Sequence, residues 1–250
     1  MLRILDWLVL DSTKTLMTPA DWLLTVMSIY MHDIGMVVTA EEYEQRDNSA
    51  FPEFKQMLFE GPDGADYKGK VGELAQDDAE RFLYQEFVRD NHATRSKAWI
   101  LGNSPAYLGA AEATAAAIGD LLSGATPEFR RDLALVCESH HLDDLGEFDK
   151  YKVSQPYGNT APETANVHYA ALLLRSADLL HMTRDRTPSI LFRLINPSDP
   201  SVSKNGLGKR LCDRSEVKWR SVGKARRIPM RRVTRLRSSL SLLIPVASSG

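Results

Sequence analysis

The chain has little cysteine: two residues, Cys137 and Cys212, in 250. Two cysteines cannot build a disulfide framework, so a reducing, cytoplasmic setting is expected. No Cys-x-x-Cys pair is present to hold a structural zinc. The apolar runs fall short of the ~20 residues that span a bilayer, so no membrane association is expected. The N-terminal stretch MLRILDWLVLDS lacks a small-residue cleavage site and reads as a helix rather than a secretory signal. The Gly-rich stretch GPDGADYKGKVGE, residues 61–73, lacks the Gly-Lys-Ser/Thr ending of a phosphate loop and reads as a plain loop. Strand signals are few, and no internal repeat is found.

What is present is ordinary for a globular chain. Hydrophobic residues make up 43% and charged residues 26%. That excludes a wholly disordered chain, a collagen and a bare coiled coil. The length allows one or two domains with a full core.

Charge is distributed unevenly. Residues 1–200 hold 18 Lys+Arg against 31 Asp+Glu, whereas residues 201–250 hold 13 against 2. The formal net charge of -2 therefore joins an acidic part at -13 to a basic part at +11. The Pro, Ser, Asn and Gly of INPSDPSVSKNGLGK supply linker chemistry at the boundary. The domain expectation is thus a helical domain over 1–200 and a poorly ordered basic tail over 201–250. Three readings of the tail stand open: a solvated tail, a nucleic-acid or anionic-lipid contact, and a changed reading frame.

Residues 1–200 read as all-α. Helices are expected over 2–10 and 19–31, with Thr18 as N-cap and Pro19 at the first helical position. The dense apolar positions of the second predict a buried central helix that Gly35 stops. Thr39 with Glu42 matches a capping box. Further helices are expected over 76–91, 109–123, Thr126 to about His141, and 162–184. In the last, Val167, Ala170, Leu173, Leu174, Ala177 and Leu180 face a core.

Six histidines are present, and most fall at or near these helix ends beside acidic residues. His32 precedes Asp33, and His140 and His141 are adjacent. Neighbouring side chains diverge by ~100° on an α-helix, so such pairs converge on one ion only when it lies between helices. Asp178 sits in an apolar helical run, where a carboxylate needs a partner or a metal. Arg175 can pair with it at i,i+3. Imidazole and carboxylate together form a ligand set for Zn, Mn or Fe.

In order along the chain, Tyr30-Met-His-Asp-Ile-Gly-Met36, Arg89-Asp-Asn-His92-Ala-Thr-Arg-Ser96, Glu138-Ser-His-His-Leu142 and Arg175-Ser-Ala-Asp178 resemble the HD superfamily of metal-dependent phosphohydrolases. The stretch Ala177-Asp-Leu-Leu-His-Met-Thr-Arg-Asp-Arg-Thr-Pro188 is similar to HD domains fused in bacteria to Hsp90-like or histidine-kinase-like ATPase modules. The resemblance covers roughly residues 1–200. It implies an HD-type multi-helix bundle holding one or two divalent ions (Mn, Fe, Zn or Mg). It makes His32, Asp33, His92, His140, His141 and Asp178 the candidate ligands, with Asp33 bridging if two ions bind. The family also places a histidine on the helix before the HD dipeptide. None precedes His32 here, which implies an N-terminally truncated family domain.

The implied activity is hydrolysis of a phosphate ester or anhydride, with a nucleotide or other small phosphorylated compound as ligand. Asp33, Arg89, Lys97 and Arg175 are the candidate catalytic residues, with Arg95 a further candidate cation; the four cations lie near the ligand motifs and can balance phosphoryl charge. The alternative is a catalytically impaired regulatory or sensor module of a larger ATPase-containing protein. Binding of nucleic acid by the basic tail ranks third. His181, three residues after Asp178, is a candidate supporting residue, and His168 has no role in this reading.

Overall fold

The computed structural model describes residues 1–109, 111–152, 156–157 and 163–180. The basic tail, its linker, residues 181–188 and His181 lie outside them. The described residues form α-helices and short 3-10 turns, with no strand among them.

The helices are α1 (Leu2–Leu8), α2 (Asp11–Lys14), α3 (Pro19–Met31), α4 (Ala40–Glu44), α5 (Phe51–Glu60), α6 (Gly64–Gly72), α7 (Gln76–Ile100), α8 (Glu112–Leu121), α9 (Pro127–Ser139) and α10 (Val167–Leu180). The start of α3 follows its local chemistry. Thr18 accepts a hydrogen bond from the Asp21 backbone N–H, Asp21 accepts one back from Thr18, and Pro19 follows the cap. Thr126 and Pro127 open α9 in the same way.

The first core is built from α1, α3, the C-terminal part of α7, α8, α9 and α10, with Leu24, Trp99, Ile100, Leu133, Leu173 and Leu174 at its centre. A second cluster of Phe51, Leu83, Tyr84, Phe87 and Val88 lies between α5, α6 and the first half of α7. At 1.5 Å per residue, the 25 residues of α7 run for about 37 Å and join both clusters.

Several expectations are corrected. Residues 61–73 are not a loop: Gly64–Gly72 is helical. Its Tyr67 is buried and donates from its hydroxyl to Glu86 of α7 at 3.0 Å, a tertiary anchor that overrides the weak propensity of glycine. The helix expected to end at residue 91 runs on to Ile100, which places His92 inside it. Thr39 caps α4, but Glu42 does not close the box. Its carboxylate turns inward to Arg95 and Tyr84. On α10, Val167, Ala170, Leu173, Leu174 and Ala177 are buried as expected, whereas Leu180 is exposed.

α3 is not buried all round. Its inner face is Ala20, Leu24, Thr25, Ser28, Ile29 and Met31, while Leu23 and Tyr30 are exposed. The stretch Pro19–Glu44 is apolar enough, at mean hydropathy 1.5, to pass for a membrane span by length and composition. The chain breaks there instead. α3 ends at Met31 after 13 residues, about 20 Å, and packs against α9 and α10.

Candidate metal centre

α3, α7 and α9 converge where their histidines lie. His32 follows the last residue of α3, and His140 caps the end of α9. Asp33 opens a turn over residues 32–37 that contains a 3-10 helix, Ile34–Met36. This turn packs on α7.

The three imidazoles are held in one manner. His32 Nδ1 lies 3.0 Å from the Ile29 carbonyl oxygen and His92 Nδ1 lies 2.6 Å from that of Arg89. His140 Nδ1 bonds the carbonyl of Cys137. Each Nδ1–H thus donates to the carbonyl three residues back, which leaves Nε2 as the inward atom. His92 Nε2 and His140 Nε2 are 2.7 Å apart. They lie 3.6 Å and 3.7 Å from Asp33 Oδ1. Asp33, His92 and His140 together form a group whose donor atoms all lie within 4.8 Å of one another.

His32 faces the same carboxylate from the other side. Its Nε2 is 3.1 Å from Asp33 Oδ2 and 3.8 Å from Asp178 Oδ1. It is buried and makes no hydrogen bond. The imidazoles of His32 and His140 are 5% exposed, against 57% for the Asp33 side chain and 42% for Asp178. The site is therefore walled by imidazole and opens to solvent on its carboxylate side.

Electrostatics divides the histidines. Burial pushes His140 down to about 4, and burial likewise lowers His92. Both are neutral at pH 7 on that basis, with bare Nε2 lone pairs. For His32 burial acts in the same sense, but the Asp178 and Asp33 carboxylates outweigh it and raise the group to about 9. Asp33 sits below the usual carboxylate range: burial raises it, but the His32 imidazole 3.1 Å away outweighs that effect. Two neutral nitrogens facing each other at 2.7 Å repel unless a cation lies between them. On these observations the residues present fit a divalent ion.

The other sequence candidates lie around this centre. His141 is exposed, with its ring centroid 5.2 Å from that of His92. Arg89 Nη1 is bonded to Glu86 at 2.5 Å, and Lys97 Nζ to Glu138 at 2.9 Å. Arg175 is half-buried, and no ion pair joins it to Asp178 or to another described residue. His168 serves the fold: its Nε2 donates to the Leu145 carbonyl at 2.8 Å and ties the segment after His141 to α10.

The groups that hold the turn are Gly35, Arg95 and Ser96: Arg95, a candidate cation in the sequence, is buried against Glu42 and the turn carbonyls, and Ser96 had no assigned role. Gly35 ends no helix. A Cβ placed on it would lie 2.0 Å from the His92 carbonyl oxygen. The sequence model of the HD-CE family, an HD-type domain, matches residues 1–236. The chain belongs to the HD-CE family. The match runs beyond the charge boundary near residue 200, where the resemblance in the motifs ended. No curated protein and no solved structure matches the chain. In this HD-CE chain the HD dipeptide is His32-Asp33, and both of its side chains face the cluster.

Proposed function

We propose that this HD-CE domain is a metal-dependent phosphohydrolase that cleaves a phosphate ester or anhydride in a nucleotide or similar small phosphorylated compound. One observation supports this reading above the rest: His92 Nε2 and His140 Nε2 meet at 2.7 Å in front of the Asp33 carboxylate. Asp33, His92 and His140 would hold the ion, with His32 and Asp178 beside them. A divalent ion in such a site lowers the pKa of water toward neutrality and polarises phosphoryl oxygens.

The protein's own groups divide the remaining work. The buried imidazoles close the back of the site to water. The exposed Asp33 and Asp178 leave the front open to a ligand. Of the four sequence-derived cations, Arg89, Arg95 and Lys97 are engaged by Glu86, Glu42 and Glu138. Arg175, one helical turn before Asp178, is the one to take a phosphoryl oxygen.

The test is metal titration followed by assay. The wild-type chain should take up Mn(II) and release nitrophenolate from bis(p-nitrophenyl) phosphate. Asp33→Asn should weaken Mn(II) binding by about 100-fold, at the upper end of what loss of even a supporting group costs. A wild-type chain that binds no Mn(II), or binds it and cleaves neither this ester nor nucleotides, refutes the reading. Arg175→Gln should leave Mn(II) affinity unchanged and lower kcat/KM by about tenfold or more, the equivalent of one charge-assisted hydrogen bond. An equal loss in both quantities would place Arg175 in the fold rather than at the substrate.

A further inference from the structure

Asp33 stands on a turn rather than on a helix, so its aim depends on what holds residues 32–37. Two consecutive residues of α7 do so. Ser96 Oγ donates to the His32 carbonyl at 2.7 Å and accepts from the Gly35 N–H at 2.9 Å. Arg95 Nε donates to the Gly35 carbonyl at 2.8 Å, and its Nη2 donates to the Val37 carbonyl at 3.0 Å. The backbone on both sides of Asp33 is therefore bonded to α7. Ser96 lies four residues, one helical turn, after His92. One strip of α7 thus carries both a ligand and the template for the opposing ligand.

We propose that Ser96 is a positioning residue that sets the Asp33 carboxylate against His92 and His140, with Arg95 supporting it. This rests on the metal-site reading above. Ser96 is fully buried, so its hydroxyl meets no substrate. Both of its turn bonds go to backbone atoms flanking Asp33. Arg95 is 1% exposed, with its charge met by Glu42, so it serves the turn's carbonyls rather than an external anion. Removal of the Ser96 hydroxyl leaves the packing of α7 in place and releases the backbone at His32 O and Gly35 N, on either side of Asp33. The consequence falls on ligand geometry first.

The experiment compares Co(II) affinity and the visible spectrum of the Co(II)-loaded chain in three proteins: wild type, Ser96→Ala, and Phe51→Leu. The last is a destabilised control in the second apolar cluster, which contains no candidate ligand. Ser96→Ala should lose about tenfold or more in Co(II) affinity, as supporting groups of metal ligands do, with an altered d–d spectrum. Phe51→Leu should keep both at a similar loss of Tm. Ser96→Cys keeps the volume with weaker hydrogen bonds. It should fall between wild type and alanine, and it carries the comparison if the alanine variant does not fold. Wild-type affinity and spectrum in both Ser96 variants would overturn the proposal. So would an equal change in Phe51→Leu. A wild-type chain that takes up no Co(II) overturns the metal reading and this proposal together, an outcome distinct from loss-free binding by the variants.

Discussion

Gly35→Ala is expected to destabilise the protein by about 4 kcal/mol, from overpacking against rigid atoms and the loss of up to three hydrogen bonds of ~1 kcal/mol each. The added methyl would lie 2.0 Å from the His92 carbonyl oxygen, 2.8 Å from its carbon and 2.9 Å from the Ser96 nitrogen. All three are backbone atoms of a long helix packed on both sides, which cannot yield as a side-chain tip can. The turn must retreat instead. It then gives up the bonds of Gly35 N–H and His32 O to Ser96, and of Gly35 O to Arg95. At 2–4 °C per kcal/mol for a chain of this size, Tm should fall by about 8–16 °C. Mn(II) affinity should fall with it, because the retreat carries Asp33 away from His92. Gly64→Ala is the matched control. Its Cβ meets the Phe59 carbonyl oxygen at 2.1 Å, but α6 bears no candidate ligand, so Tm should drop while Mn(II) binding by the folded protein holds. A Gly35→Ala protein with wild-type Tm would show that the turn and α7 do not approach as described.

The contrast between these two glycines shows what a sequence discloses. Helices with local start signals were legible: Thr18-Pro19 and Thr126-Pro127 cap α3 and α9 through bonds spanning three residues. So were the candidate ligands, because adjacent His-Asp and His-His pairs at helix ends imply an ion between helices. The errors came where distant residues decide. The polar run Arg89-Asp-Asn-His92 reads as a helix end, yet α7 continues through it to Arg95 and Ser96, which bond Gly35 and His32 sixty and sixty-four residues away. Glycines weakened the reading of residues 61–73 as a helix, but Tyr67 finds Glu86 nineteen residues away. Ser96 and Gly35 are sixty-one residues apart. No periodicity marks either as part of a template, since a buried serine and a buried glycine are ordinary in any helical core.

A loss of stability of similar size should follow from breaking the ion pair beneath that template. Arg95 Nη1 meets Glu42 Oε1 at 2.7 Å, with the two side chains 1% and 0% exposed. Tyr84 donates its hydroxyl to the same oxygen at 2.7 Å. Burial and the Glu42 charge raise the Tyr84 phenol well above its ordinary value, which keeps it a donor. Gly109 passes over the pair at φ +109°, where a Cβ would lie 2.7 Å from both Arg95 Nη1 and Glu42 Oε1. Water therefore has no room to replace a missing partner. Arg95→Leu strands the Glu42 carboxylate and should cost about 3–5 kcal/mol. Glu42→Gln keeps an acceptor for Tyr84 and should cost about 1–3 kcal/mol, the price of a poorly satisfied buried group. The double variant removes both charges, so its loss should fall short of the sum by about 2 kcal/mol. Urea unfolding midpoints at a common m-value give the three figures. Strict additivity would mean that Arg95 acts only through its backbone bonds to Gly35, Val37 and Leu108. A coupling of the expected size means that Glu42 makes those bonds possible: a guanidinium placed in the core to hold the HD turn needs a carboxylate buried beside it.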